Sequence, residues 1–442
     1  MTLPVYFEER LVGTIDVDAA GAGFTYDSTW LSTRGAFPIA TTMPLNKQRV
    51  GPAIFLPWAA NLLPESENLQ AVGQFLGVAP SDVIGILSEI GRDTAGALSI
   101  GRPGTSSSDN WRPIEKTADL ERIIEELPKK PFLVGEEGVS MSLAGAQSKM
   151  GVAVDDRGQI CIPLDGSPST HILKPDIARL WGSVQNEAFC LVLAKRMNLP
   201  VAEVTTGVAG KRSYLLVKRY DRARTDGSWR RLHQEDFCQA LGKPPTAKYE
   251  ANQTGIPGPT VKDMFDVTRR LTPAADILRL FDMLVFNVIA CNTDAHAKNY
   301  SLTVRASGAS LAPLYDVMCG EVWDNVTKNL AQKIAGKNRG EHLKGRHWQR
   351  FAKECGLNPR QVLARVATLT AEAEAAVPAA AAEVAKMPAG DHPLLKEAAA
   401  SIVKRARAIG NQLKETEASL GREEDVEAVG AEPRSDMFSR TP

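Results

Sequence analysis

The sequence has no cysteine pair with CxxC spacing, no excess of either charge and no long apolar run. Its 52 Lys and Arg residues balance its 52 Asp and Glu residues, which argues against strong nucleic-acid binding by the chain alone. The most apolar stretch, FDMLVFNVIAC, contains Asp282 and is about half as long as a membrane helix. The N-terminal stretch MTLPVYFEERLVG carries two glutamates and predicts no signal peptide. These absences predict a cytoplasmic protein without membrane contact.

The cysteines are Cys161, Cys190, Cys238, Cys291, Cys319 and Cys355. Most have apolar neighbours, which favours buried free thiols in a reducing compartment over a disulfide framework or a zinc site.

The 442 residues change character along the chain. Short strand and helix patterns fill the first hundred residues, and RPGTSSSDNWRP (Arg102–Pro113) is typical of a linker or long loop. Strand patterns with one long helix follow, and the chain becomes mainly helical from HQEDFCQALG onwards, except for the loop PPTAKYEANQTGIPGPT and a hairpin within Asn292–Asp316. The final stretch, LGREEDVEAVGAEPRSDMFSRTP, predicts a disordered tail. This order indicates an α+β protein, with a small sheet lobe joined to a helical lobe.

The strongest chemical signal is NTDAHAKNYSL, in which Asp294 and Asn299 are five residues apart. Protein kinases use a D-x-x-x-x-N loop, where the carboxylate accepts a proton from the attacking hydroxyl and the amide binds magnesium. Asp316 follows Asn299 by 17 residues across a predicted hairpin, and a carboxylate and an amide suit a hard cation that is also bound by phosphates. Lys298 could neutralise phosphate charge.

Kinase-like spacing extends upstream. SMSLAGAQSKM (Ser140–Met150) holds one glycine, Gly145, and Lys174 follows about 25 residues later near the end of a predicted strand. Glu187 lies 13 residues further on and is the expected ion-pair partner of Lys174. Singly, each signal has an ordinary explanation: a chance D-x-x-x-x-N, a solvated lysine, a turn aspartate, or a histidine at position 296 that fixes the backbone rather than acting as a base. Their shared order favours a nucleotide site.

Several motifs together resemble the HipA family, the serine/threonine kinase toxins of bacterial toxin–antitoxin modules. They are SLAGAQSK, ILKP, NEAFC, VKRYDR, RLHQEDFCQALG, NTDAHAKN, LAPLYDV and GKNRGEH, with NLLPES and GRDTAGALSI nearer the N-terminus. The resemblance spans residues 3–410 and implies a two-lobed, protein-kinase-like fold with a small mixed α/β N-terminal lobe and a larger all-α C-terminal lobe. The implied domains are a HipA-type N-terminal subdomain (1–102), a kinase N-lobe (103–220), a helical C-lobe (221–415) and the tail (416–442).

The resemblance also implies roles for individual residues. Asp294 is the catalytic aspartate, Asn299 and Asp316 bind Mg²⁺, and Ser142 matches the family's autophosphorylated serine. The residues implied to bind ATP are Ala144, Gly145, Ala146, Gln147, Ser148, Lys149, Lys174, Lys218, Arg219, Tyr220, His296, Ala297, Lys298, Asn299, Tyr315 and Asp316, of which Lys218–Tyr220 form the adenine hinge. Ser148 departs from the acidic residue expected in the loop, TDAHAKN replaces H-R-D, and Val317 and Met318 follow Asp316 in place of Phe and Gly.

By resemblance, the protein phosphorylates a translation component, an aminoacyl-tRNA synthetase, which halts translation and causes growth arrest and persistence. A helix-turn-helix antitoxin of the HipB type and autophosphorylation inactivate it, and operator DNA is bound mainly through the antitoxin. Two alternatives stay open at this point. One is a nucleotide-binding co-repressor scaffold without kinase output, and the other is a small-molecule kinase, against which the family-like N-terminal subdomain and the serine before the loop argue.

Overall fold

The computed structural model describes residues 2–19, 21–105 and 110–413. The first part of the chain contains β1 (Thr2–Phe7), β2 (Arg10–Asp18), β3 (Gly21–Tyr26), α1 (Ser28–Ser32), β4 (Arg49–Val50), α2 (Pro52–Ala60), α3 (Ser66–Leu76), α4 (Val83–Ile90) and β5 (Leu98–Ile100). Its strands form an antiparallel sheet in the order β4-β3-β2-β1-β5. Asp82 caps α4 by accepting a 2.8 Å hydrogen bond from Gly85 N, and the helix ends at Gly91.

The second part contains β6 (Trp111–Pro113), α5 (Thr117–Glu126), β7 (Met150–Val154), β8 (Ile160–Pro163), β9 (His171–Pro175), α6 (Ser183–Arg196), β10 (Val204–Ala209) and β11 (Arg212–Lys218), with a 3₁₀ turn at Pro131–Leu133. Six strands pair in the order β10-β11-β9-β7-β8-β6. β6 lies inside the segment interpreted above as a linker, and it is ordered because it pairs with β8 along the sheet edge.

One hydrophobic core joins these two parts. Leu63 and Val72 from the first part and Leu143 and Val152 from the second belong to the same buried cluster. A second cluster fills the rest of the chain and includes most of α6. The six-stranded sheet of the second part therefore packs against the N-terminal part through the first cluster and against the helical part through the second.

The third part contains β12 (Arg222–Thr225), β13 (Ser228–Arg231), β14 (Gln234–Asp236), α7 (Phe237–Ala240), α8 (Val261–Leu271), α9 (Ala274–Ile289), β15 (Ser301–Arg305), β16 (Gly308–Leu311), β17 (Asn329–Ile334), β18 (Lys337–Arg339), α10 (Gly345–Glu354), α11 (Pro359–Val384) and α12 (Leu394–Gln412). Further 3₁₀ turns lie at Pro245–Ala247, Ala297–Asn299, Gly320–Val322 and Gly340–His342.

The expectation of an all-α C-terminal lobe is wrong. The predicted hairpin is present as β15–β16, but β14 adds a third strand to it, and β17 pairs with β18. β14 and β18 each have three residues, too few to show the alternation that marks a strand. The lobe is a helical body that carries small sheets around the catalytic loop, within an α+β, kinase-like whole.

The predictions about thiols and membranes have separate outcomes. All six cysteines are buried and free, as predicted. No helix among the described residues is long and apolar enough to cross a membrane. The predicted disordered tail, residues 416–442, lies outside the described residues.

Candidate active site

A buried ion-pair triad stands at the centre of the site. Lys174 is the penultimate residue of β9 and is buried. Its Nζ donates 2.7 Å hydrogen bonds to Glu187 Oε1 in α6 and to Asp316 Oδ1. Burial acts to lower the pKa of Lys174, but the two carboxylates outweigh it and raise this pKa. Asp316 has φ +58°, a left-handed backbone that non-glycine residues seldom adopt without support from their surroundings. The triad supplies that support.

The predicted phosphate-binding loop runs from the edge of the N-terminal part into β7. Gly145 has φ +106°, and a Cβ there would lie 2.6 Å from Lys149 Nζ, so only glycine fits. Lys149 Nζ donates a 2.7 Å hydrogen bond to Ala144 O, which closes the loop on itself. Burial, followed by repulsion from Lys174, lowers the pKa of Lys149 to about 8.

The Asp294 side chain is fixed by a residue that the sequence reasoning did not single out. Tyr249 OH donates a 2.5 Å hydrogen bond to Asp294 Oδ1, and its ring packs edge-on against His296 at 5.1 Å. Asn299 Nδ2 donates to Asp294 O at 2.8 Å, which ties the two ends of the D-x-x-x-x-N loop together. Burial, with Lys248 and Lys298, holds the pKa of His296 well below its usual value, so the imidazole is neutral.

Two more lysines of the site, Lys298 and Lys248, are held by hydrogen bonds to carboxylate and amide oxygens. Lys298 Nζ contacts Asp236 Oδ2 at 3.0 Å and Asn61 Oδ1 at 2.7 Å, while Lys248 Nζ contacts Glu65 Oε2 at 2.6 Å. Although burial opposes it, the carboxylates of Asp236 and Glu65 raise the pKa of Lys298. Lys298 is therefore cationic at neutral pH.

In the predicted hinge, residues 218–220, the side chains of Arg219 and Tyr220 point to different surroundings. Arg219 turns its guanidinium away from the cavity, to Asp221 at 2.7 Å, within a buried cluster that includes Asp93 of the N-terminal part. The Tyr220 ring stacks on Tyr315 at 5.7 Å, and Tyr220 OH donates to Gln234 Oε1 at 2.6 Å. Arg219 can offer a nucleotide only its backbone, whereas Tyr220 offers a ring.

A cavity of about 1100 Å³, partly open to solvent, unites these groups. Of the predicted residues, it is lined by Ala144, Gly145, Ala146, Gln147, Lys149, Lys174, Lys218, Arg219, Tyr220, His296, Lys298, Asn299, Tyr315 and Asp316. Ser148, Ala297 and Asp294 are outside this lining. The polar lining residues that were not predicted from the sequence include Asn61, Asp221, Gln234, Asp236, Gln239, Lys248 and Ser301. Glu65 and Tyr249, also not predicted, contact Lys248 and Asp294 respectively. The motif NLLPES, which contains Asn61 and Glu65, was the available signal.

Two ends of the cavity differ in chemistry. Ile172, Ala202 and Val217 make one end apolar beside the hinge, and the lysines make the other end cationic. Gln147 Oε1 and His296 Nδ1 are buried polar atoms without a hydrogen-bond partner. Among the described residues, no three His, Cys, Asp or Glu side chains are grouped to hold a metal ion. The cavity fits a ligand with a flat apolar part and an anionic part, and any metal ion there would need ligands from that anion.

Ser142 is completely buried beside the loop. Its Oγ donates a 2.7 Å hydrogen bond to Leu62 O, and its N donates to Asp93 O at 3.0 Å. The hydroxyl is inaccessible to any phosphoryl donor in this conformation.

Comparisons with known proteins agree with this geometry. Residues 141–377 match the family model described as the HipA-like C-terminal domain, and residues 3–101 match the HipA N-terminal domain. A protein of Sinorhizobium fredii described as putative kinase Y4mE is 38% identical over 389 residues, which cover 85% of this chain and 91% of that protein. The serine/threonine-protein kinase toxin HipA of Shewanella oneidensis is 29% identical over 398 residues, covering 88% and 90%.

The solved structure of Shewanella oneidensis HipA with HipB and operator DNA has the same fold. The TM-score is 0.81 at 24% sequence identity, over 93% of this chain and 98% of that one. The resemblance drawn from the sequence motifs is confirmed: this chain belongs to the HipA family of serine/threonine kinases.

Proposed function

We propose that this protein is the toxin of a toxin–antitoxin pair and phosphorylates serine or threonine in a protein substrate with ATP. One observation carries the proposal. In a chain of the HipA family, a single cavity gathers Lys174, Glu187, Asp316 and Asn299 next to Asp294, in the order that protein kinases use.

The cavity suits ATP at both of its ends. The apolar end can enclose adenine between the hinge backbone and the Tyr220 ring, and the amides around Gly145 can bind phosphate as an anion nest. Lys149, Lys174 and Lys298 neutralise phosphate charge at the other end. When bound, ATP supplies the phosphoryl group. Catalysis by the chain is then mostly positioning and electrostatic stabilisation.

Asn299 and Asp316 would hold Mg²⁺. The Asn299 Nδ2 group is already bonded to Asp294 O, which leaves its oxygen for a cation. One amide and one carboxylate suit an ion that takes its remaining ligands from phosphate and water.

Asp294 accepts the proton of the substrate hydroxyl. Tyr249 OH donates a 2.5 Å hydrogen bond to Oδ1 of this carboxylate, which restrains its rotamer. A carboxylate that is held in one position removes the proton at the point where the hydroxyl attacks.

The substrate and partners are proposed by family likeness. We propose an aminoacyl-tRNA synthetase as the substrate, with arrest of translation in the cytoplasm as the result, and a HipB-like helix-turn-helix protein as the antitoxin. The Shewanella relative was solved with HipB and operator DNA. The zero formal net charge of this chain supports DNA contact mainly through the antitoxin.

Phosphorylation of Ser142 is proposed to inactivate the enzyme. Because Ser142 is buried against Leu62 O, the loop segment that carries it has to move away from Leu62 before Ser142 can be phosphorylated. A phosphate on Ser142 adds about two negative charges at pH 7 beside the proposed binding site for the ATP phosphates. Repulsion between these charges would keep the loop displaced from the site.

The test is transfer of radiolabel from [γ-³²P]ATP to purified aminoacyl-tRNA synthetases and to a bacterial lysate. The wild-type chain and Ser142→Ala should label a protein on serine or threonine, whereas Asp294→Asn should label none and should abolish growth arrest on induction. Absence of label from the wild-type and Ser142→Ala proteins would contradict the kinase function and favour a scaffold. Label on a lysate protein other than a synthetase would contradict only the proposed substrate.

A further inference from the structure

Residues 61–68, which join α2 to the first turn of α3 in the N-terminal part, lie directly against the phosphate-binding loop. Three hydrogen bonds join them: from Ser142 Oγ to Leu62 O at 2.7 Å, from Glu65 N to Gly145 O at 3.1 Å, and from Asn68 Nδ2 to Ala146 O at 2.8 Å. Pro64 and Gly145 also form a parallel β-bridge. The loop therefore packs along its length against a segment that lies outside the kinase-like part of the chain.

The same segment reaches the catalytic side of the cavity. Glu65 Oε2 accepts a 2.6 Å hydrogen bond from Lys248, and Glu65 Oε1 lies 3.7 Å from Lys298 Nζ. Lys298 Nζ also donates to Asn61 O at 3.1 Å and Asn61 Oδ1 at 2.7 Å. One short segment therefore contacts both the phosphate-binding loop and the two lysines.

Charge explains why this carboxylate is there. The Glu65 side chain is 11% exposed, and although burial opposes ionisation, Lys248 and then Lys298 lower its pKa. A buried anion between two buried lysines fixes both ammonium groups in position. Asp236 also contacts Lys298 at 3.0 Å, and Glu65 is the carboxylate that contacts both lysines, in a medium that screens charge poorly.

We propose that residues 61–68 are a clamp that the N-terminal part supplies to the kinase site. Glu65 is a positioning residue for Lys248 and Lys298, and Asn68, with the Glu65 backbone, holds the phosphate-binding loop in its closed place. The kinase-like part of the chain is incomplete without this clamp. The inference rests on the proposed nucleotide site, but not on the toxin role or the substrate.

The chain offers a matched control in the same segment. Glu67 is two residues from Glu65 and is exposed, so Glu67→Gln removes a carboxylate without touching the loop or the lysines. Asn68→Leu removes the donor to Ala146 O and keeps the number and branching of the side-chain heavy atoms. Glu65→Gln removes only the charge between the lysines.

The experiment is hydrogen–deuterium exchange on the full-length chain, with titration of a non-hydrolysable ATP analogue and Mg²⁺ by calorimetry. In Asn68→Leu, amides of residues 142–149 should exchange about two- to tenfold faster, the range for one lost hydrogen bond, and analogue affinity should fall by a similar factor. In Glu65→Gln, exchange should also rise in residues 245–250, around Lys248. Glu67→Gln should match wild type in both measurements.

Amides of Pro359–Val384, a helix remote from the segment, report whether each variant is folded. Faster exchange throughout the chain, including this helix, would overturn the clamp, because the segment would then be general packing between the two parts. Wild-type exchange in residues 142–149 of both clamp variants would also overturn it. Exchange is measured without phosphoryl transfer, so a failure of the clamp and a failure of the kinase function are distinguishable.

Discussion

Replacement of Lys174 by methionine should destabilise the protein in a pH-dependent way. Met keeps the approximate length of the side chain but removes the cation that contacts both Glu187 and Asp316 at 2.7 Å. These side chains are 8%, 3% and 19% exposed, so water screens the loss poorly. Removing one partner of a buried ion pair costs about 3–5 kcal/mol. Because Lys149 is nearby and regains charge when Lys174 is gone, we expect about 3 kcal/mol at pH 8.

The loss should become smaller as the pH falls. In the wild type, Lys174 outweighs burial and lowers the pKa of Asp316. The ionised Asp316 carboxylate therefore stabilises the folded chain at pH values above its pKa in the unfolded chain. This stability is lost as the pH falls through its pKa in the folded chain. In Lys174→Met, both carboxylates are buried without this cation, so the pKa of Asp316 rises above its unfolded value. The pKa of Glu187, which burial already raises in the wild type, rises further. The folded variant then binds more protons than the unfolded chain, and its free energy of unfolding increases towards low pH.

The assay is urea unfolding at pH 8 and pH 5.5, compared at equal m-values. Lys195→Met, an exposed lysine in the same helix as Glu187, is the control and should stay within about 0.5 kcal/mol of wild type. A loss no larger than that of the control, or a loss that grows towards pH 5.5, would refute the electrostatic account of the triad.

Three further predictions concern activity. Asp316→Asn should abolish phosphoryl transfer and growth toxicity while the chain stays folded, and full toxicity of a stable variant would contradict the role of Asp316. Tyr249→Phe removes a hydrogen bond to the Asp294 carboxylate, typically about 1.5–3 kcal/mol, so kcat should fall about tenfold or more and the acidic limb of its pH profile should move upwards; an unchanged profile would exclude a positioning role. Because the pKa of Lys149 is about 8, affinity for an ATP analogue measured by calorimetry should fall from pH 7 to pH 9, and Lys149→Met should flatten this dependence.

Order and spacing along the chain were enough to predict the centre of the site. Lys174, Glu187 and Asp316 occupy kinase-like positions in sequence, and the structure brings them within hydrogen-bonding distance. Such spacing is informative because β9 leads directly into α6, and the β15–β16 hairpin directly precedes Asp316, so these units fix where each side chain emerges. The contacts that the N-terminal part makes with the site were not predictable in this way. Glu65 and Lys248, for example, are 183 residues apart, and only tertiary packing joins them.

Two other features depended on information that local sequence does not contain. The Arg219 side chain could face either way from a hinge. Its direction is decided by Asp221, two residues along the chain, together with the buried Asp93 of the N-terminal part, which local sequence does not reveal. The three-residue strand β14 forms only because the β15–β16 hairpin offers an edge for it to pair with. Tyr249 lies in a loop rich in proline and glycine, whose composition predicts a loop but says nothing of what it contacts.

The hydrophobic core shared by the first two parts of the chain has an evolutionary consequence. Two segments that match separate family models, 3–101 and 141–377, contribute side chains such as Val72 and Val152 to one interior. Substitutions on one side of that interior are therefore selected together with those on the other. Recombination between relatives near residue 102 would join halves that had not diverged together, so a viable chimera would need both halves from lineages with matching cores.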